Sequence, residues 1–467
     1  MTQSKKDVES HLLEPEDHYN YDDSDYEDAV GEAAEYYRQE IQNGPSNGNV
    51  RLNHSTAALA ATIVGAGIVA LPRAFAALGL IPGMAIFMVI FGLAMFSLSA
   101  LIRAATSAEC WTYDELANSQ FGKVGARSLD FAIIANNSGS MIIYLIIMGD
   151  VLVGAPPHYS GIITNLFGIH SGDVWWVSRP FVMAIVCVAF LGPLVSLRNL
   201  KMLGPMSTVA VIVAGCLVSS VALLAGAAGF EGKLGDFNWL PNKALLGDTV
   251  SEIVITLLSI LPVITMSFVC HYNLLPVANN LERFTERRIS MVIRRALSIC
   301  TVLFSVLAVS GVLLFGSSTE ANILLNLRPE AVEEYISPVA ASLLCFAIRL
   351  AYCVCLMSTF AMLNWALRET LTNLIFGVRM LQGNGFLWKS YAIVFVEYLV
   401  SILFPNVWKA MSLTGATAAV YVSYILPGAL ILSVHGSGMK DNILGGVCVV
   451  LGVIMSVVGV VKTLFLS

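Results

Sequence analysis

After residue 50 the chain is a succession of long apolar runs separated by short polar stretches. Eleven runs are discernible, at roughly 55–80, 82–103, 128–153, 179–197, 203–226, 248–276, 290–315, 337–370, 386–404, 407–433 and 442–466. A helix needs about 20 apolar residues to cross the hydrocarbon core of a bilayer, and most of these runs suffice. A transmembrane barrel would instead show short segments of alternating polarity. The pattern therefore predicts an all-α polytopic membrane protein, whose helices satisfy their own backbone in lipid. The eighth run is too long to stand upright and must tilt or project. Residues 1–50 break the pattern. "EPEDHYNYDDSDYEDAVGEAAEYYRQE" is acidic and lacks an apolar run, so 1–50 reads as a disordered cytosolic tail ahead of a transmembrane domain over 51–467.

Composition agrees. The 467 residues are 57% hydrophobic and 12% charged, with mean hydropathy +0.75; a soluble domain carries about 25% charged residues. The net charge of −6 reflects the tail more than the membrane domain. Loop lysines and arginines sort unevenly. One alternating set of loops holds fourteen, with the densest run in "ERFTERRISMVIRR" (Glu282 to Arg295), and the other holds six. The richer set belongs in the cytosol, which puts the N-terminus there and the C-terminus on the opposite side. Nine cysteines lie almost entirely in apolar runs, so disulfides are not expected, and Cys353-Val-Cys355 lacks the His or second pair of a metal site. No HExxH or GxSxG motif appears in the spans, which argues against an enzyme. No cofactor, metal or nucleic-acid partner is expected.

Two runs carry helix breakers at mid-depth. "ATIVGAGIVALPRAF" (Ala61 to Phe75) places Gly65, Gly67 and Pro72 inside the first run. "LPVITMSFVCHYNLLPVANN" places Pro262 and Pro276 in the sixth, with polar Thr265 and Ser267 between them. A backbone interrupted in hydrocarbon exposes N–H and C=O groups, each costing several kcal/mol unless protein, water or a ligand satisfies it. The first and sixth runs open two five-span halves. Paired broken helices at matching positions point to a transporter built from inverted repeats, with the eleventh span an addition. A half-helix N-terminus suits a carboxylate, and unwound carbonyls suit an ammonium group or a cation. Two facing breaks thus suit a zwitterion such as an amino acid.

These residues resemble a known family. "TIVGAGIVALPRAFAALGLIPG" is similar to the first helix of the amino acid/auxin permeases, in particular the neutral amino acid transporters and their plant vacuolar relatives. The third-helix pattern is matched by Ser138-Gly139-Ser140-Met141-Ile142-Ile143-Tyr144 and Met148-Gly149-Asp150, and the sixth by "LPVITMSFVCHYNLLPVANNLE". The resemblance covers about residues 52–466. It implies a LeuT-type fold of eleven spans, five plus five inverted and one more, and secondary amino acid transport driven by sodium or protons. By resemblance, amides of Gly65, Ala66 and Gly67 would face the substrate carboxylate. Carbonyls near Val64, Ser267 and Phe268 would take its ammonium. Asn137, Ser140, Tyr144 and Thr265 would shape the pocket. Sodium-coupled members carry Asn four residues before the first glycine of this motif; this chain has Ala61. Their hydroxyl on the eighth helix is matched by Thr359. The lost oxygen favours proton coupling, or facilitated exchange, over sodium.

Ionisable residues within spans are functional candidates. Arg73 and Glu252 are candidates for a gating ion pair, and Arg349 for a gate or structural partner. His271 and Glu397 are candidates for carrying a proton. Asp150 is expected at an interface. The leading expectation is a secondary transporter of neutral amino acids, monomeric, in a vacuolar or lysosomal membrane or else the plasma membrane. The alternative is a membrane amino acid sensor signalling through a cytosolic partner of its acidic tail.

Overall fold

The computed structural model describes residues 50–156, 159–169, 174–197, 204–376, 384–434 and 438–465. The tail before Val50 lies outside them, as do Arg198, Lys201 and Arg379, three of the fourteen cations in the richer set of loops. The described chain is helical apart from one isolated backbone bridge between Val50 and Leu281.

Helices stand where the apolar runs predict them. The first run is split into α1 (Leu52–Ile63) and α2 (Gly67–Leu78). There follow α3 (Leu80–Ala108), α4 (Tyr113–Leu152), α5 (Arg179–Val195) and α6 (Gly204–Glu231). The sixth run is again split, into α7 (Val250–Met266) and α8 (His271–Asn279). The remainder are α9 (Glu286–Phe315), α10 (Pro338–Phe376), α11 (Asn384–Leu403), α12 (Val407–Ser433) and α13 (Met439–Phe465). Among the described residues eight spans are long and apolar enough to cross a bilayer unaided, and α1 with α2 makes a ninth bent by 60°. The other two segments, α5 and α11, coincide with the fourth and ninth runs. The third run extends well past its expected start, because Thr112 caps α4 by accepting from the Glu115 amide, and Gly122, at φ 65°, kinks the helix inside the polar stretch.

Lipid and protein sort the apolar surface. On α11, Ser390, Val394, Glu397 and Ser401 are buried at helical spacing, whereas Phe395, Val396 and Leu399 are exposed. Close approach of helices rests on small residues. Gly67 of α2 sits so near the second break that a Cβ there would lie 2.7 Å from Ser267 Cα and Oγ. Gly415 of α12 packs on the Pro262 carbonyl, and Gly311 of α9 on the Pro72 ring.

Candidate functional site

The two breaks are built differently. At the first, α1 ends when Val64 turns extended (φ −76°, ψ 92°), and α2 restarts at Gly67 with no side-chain cap. Its leading N–H groups therefore have no intrahelical partner. At the second, Ser267 to Cys270 interrupt the helical bonding, but α7 and α8 run on as one span, Val250–Asn279. The Gly67–Ser267 contact brings the breaks together.

Beside them lies a cavity of about 330 Å³, at the small end of the roughly 300–1,000 Å³ typical of ligand sites. Residues 61–67 form one wall. Asn137, Ser140 and Tyr144 of α4 form another, and Thr359 of α10 a third. The expected residues Ala61, Val64, Gly65, Ala66 and Gly67 are all present at this surface. The Tyr144 hydroxyl would lie 3.2 Å from a Cβ placed on Gly65, so a side chain there would crowd the site. Tyr352 donates to the Gly65 carbonyl at 3.0 Å. Asn137 is 0% exposed, yet neither its Nδ2 nor its Oδ1 has a partner. A buried amide left unpaired costs about 1–3 kcal/mol. Among the described residues no Asp, Glu, Lys, Arg or His lines the cavity.

Other expected residues stand outside it. Thr265 is buried with its hydroxyl unpartnered, Ser267 packs against Gly67, and Phe268 stacks on Phe87 at 5.1 Å and Phe304 at 5.9 Å. His271, the first residue of α8, is buried, its Nε2 2.8 Å from the Ser97 hydroxyl. Glu397 is buried on α11, beside Ser138. The cavity also has walls that sequence reasoning missed: Asn136, Tyr272, Asn273 and Ser358. Their adjacency to Asn137, His271 and Thr359 was the available signal. Among the described residues no group of three or more His, Cys, Asp or Glu converges on a metal position.

The expected Arg73–Glu252 pair is not formed. Arg73 donates to the carbonyls of Thr319 at 2.9 Å and Ser317 at 3.4 Å. Glu252 is exposed and closes a capping box with Thr249, accepting from the amides of Asp248 and Thr249. Arg73 belongs instead to a plug on the side away from α1. There Arg349, 2% exposed, donates to Leu324 O and Ser160 O. Asp150 is not interfacial but buried, paired with Arg179 at 2.8 Å and accepting from Asn322. The loop after α9 is thereby fastened to α2, α4 and α10. On the opposite side the cavity wall follows α1 back to Ala61 and α10 on to Ala366, and does not extend past Gly67 on α2. The cavity thus opens toward the α1 end and is closed toward Arg73.

A cavity lined by a few convergent polar groups beside two helix breaks, in a bundle of apolar helices, is the arrangement of a LeuT-type fold. The fold is that of a solved structure, MhsT in complex with L-phenylalanine, with TM-score 0.55 and 11% identity, covering 89% of this chain and 98% of that one. The family model described as "Transmembrane amino acid transporter protein" matches residues 51–465, and the chain belongs to that family. It is therefore a multi-pass membrane transporter and not an enzyme. It is 29% identical over 422 residues to amino acid transporter AVT6E of Arabidopsis thaliana, spanning 87% of this chain and 82% of the relative. Similarity extends at 23% identity to putative sodium-coupled neutral amino acid transporter 11 of Danio rerio (86% and 83% covered) and to vacuolar amino acid transporter 2 of Saccharomyces cerevisiae (87% and 82%).

Proposed function

We propose that the chain is a secondary active transporter of neutral amino acids, working by alternating access and coupled to protons rather than sodium. The observation that carries this reading is the cavity itself: the N-terminus of α2 at Gly67, the orphaned Asn137 amide, and no charged side chain among the described residues. The positive end of α2 suits the substrate carboxylate, and the unwound carbonyls at Val64 suit its ammonium. A charged substrate side chain would find no counter-ion in this lining, which favours neutral ones. Against sodium stands Ala61, on the cavity wall with no side-chain oxygen to offer. Ser358 and Thr359 donate their hydrogens to carbonyls of their own helix, which leaves their oxygens free to face a cation, so the oxygen missing from the wall is the one at Ala61.

With eleven crossings and the basic loops in the cytosol, the α1 end faces the cytosol and the conformation is inward-facing. The name of the yeast relative favours an endomembrane of vacuolar type. The test is substrate-induced stabilisation of the detergent-purified protein. A ligand at about 100 times its dissociation constant adds about 2.7 kcal/mol. Neutral amino acids should raise the melting temperature, and aspartate and lysine should not; the reverse order overturns the assignment.

One observation favours a second reading, as a sensor. Val50 donates to Asn280 O at 3.0 Å and accepts from Glu282 N at 2.9 Å, so the base of the tail is tied to the end of α8. Deleting residues 1–49 separates the readings: a carrier keeps its flux, and a sensor loses its partner.

A further inference from the structure

Glu397 is the buried acid that the substrate cavity does not use. It belongs to the buried stripe of α11, 3% exposed, and its Oε2 has no hydrogen-bond partner. The hydrogen-bonding side chain beside it is Ser138 of α4. Ser138 lies one residue from Asn137 and two from Ser140, both on the cavity wall. On the next face of the same turn, Gly139 is pressed against Thr414 of α12, where a Cβ would collide with the threonine side chain. One turn of α4 therefore turns Asn137 and Ser140 to the cavity and Ser138 to the buried carboxyl of α11.

The elements packed on α11 include α4, α5 and α10. Among the described residues, none of their titratable groups stands beside the carboxyl as a counter-charge. Arg368 of α10 donates to Ser390 Oγ at 2.7 Å, two turns or about 10 Å along α11. Cys187 of α5 lies near Tyr398. Arg179 and Asp150 pair with each other, and Tyr144 faces the first break. An ionised carboxylate here is an uncompensated charge at membrane depth, which is costly and calls for a proton or a rearrangement. Protonation makes one O–H bond and needs no other reactant.

We propose that Glu397 takes up and releases the coupled proton, acting on the substrate site through Ser138 and the α4 turn that carries Asn137 and Ser140. This rests on the transport reading above. It assigns the coupling role to Glu397 and not to His271, which is packed against Ser97 away from the cavity.

The experiment uses the full chain in proteoliposomes, with wild type, E397Q, E397D and H271Q. With one proton per substrate, a pH step of one unit drives about tenfold accumulation. E397Q should abolish accumulation while still exchanging labelled for unlabelled amino acid at equal pH. E397D should accumulate, with its pH profile displaced from wild type. Accumulation by E397Q at the wild-type level overturns the proposal, as does a loss confined to H271Q. If E397Q does not fold, an unshifted E397D profile overturns it and a displaced one supports it. Absence of exchange in the wild type defeats the transport reading, and this inference with it; intact exchange with unaltered E397Q coupling defeats this inference alone.

Discussion

Gly67→Ala tests whether the two breaks form one site. The added Cβ would lie 2.7 Å from Ser267 Cα and Oγ. Ordinary contact begins at 3.4 Å, so the breaks must part by about 0.7 Å in a close-packed interior. One of the two colliding atoms is backbone, so no change of rotamer relieves the clash. Overpacking of this kind costs about 1–3 kcal/mol. If that cost falls on the form that holds substrate, affinity drops about 5–150-fold. Gly65→Ala is the internal comparison. Its Cβ would meet only the Tyr144 hydroxyl, at 3.2 Å, and that ring tip can give by tenths of an ångström. Binding by substrate-induced stabilisation should therefore rank wild type, Gly65→Ala, Gly67→Ala. Adding Ser267→Ala should not restore the last, because Ser267 Cα remains. Wild-type affinity in Gly67→Ala, or full rescue by Ser267→Ala, would refute the reasoning.

Asn137→Leu should raise the melting temperature of the empty protein, because it removes two buried, unpaired polar atoms, and should weaken substrate binding by about 1–3 kcal/mol; thermal scans with and without substrate check both signs. Arg73→Gln should loosen the plug by about 1.5–3 kcal/mol, the worth of hydrogen bonds from a charged donor. A cysteine introduced at Ser140 should then label faster from the face opposite α1. Glu252→Gln should leave uptake unchanged, since Glu252 serves the α7 N-terminus; a transport defect with normal folding would return it to the gate.

The breaks were legible because glycine and proline stand out in an apolar run, where only a ligand, a neighbour or water can satisfy the freed backbone. The contact between them was not. Gly67 and Ser267 are far apart in sequence, and an apolar pattern on both faces of a helix does not say which face meets which neighbour. The same ambiguity hid Tyr272 and Asn273 while suggesting His271 and Phe268: consecutive residues on a helix point in different directions, and hydropathy ranks them without aiming them. The Arg73–Glu252 pairing erred for a local reason. Thr249-Val250-Ser251-Glu252 ahead of an apolar run is a capping-box signature, and it already assigned the carboxylate. Asp150 erred otherwise. Its place at the end of the third run suggested an interface, but α5 brings Arg179 to it and the loop after α9 brings Asn322.

The most direct measurement of the central claim is uptake of labelled neutral amino acids into proteoliposomes, with sodium and pH gradients imposed separately. Accumulation driven by the pH gradient and indifferent to sodium is the predicted result. Accumulation driven by sodium alone would show that Ser358, Thr359 and backbone carbonyls suffice for the cation despite Ala61, and would contradict proton coupling. Binding without uptake under either gradient would contradict the carrier itself.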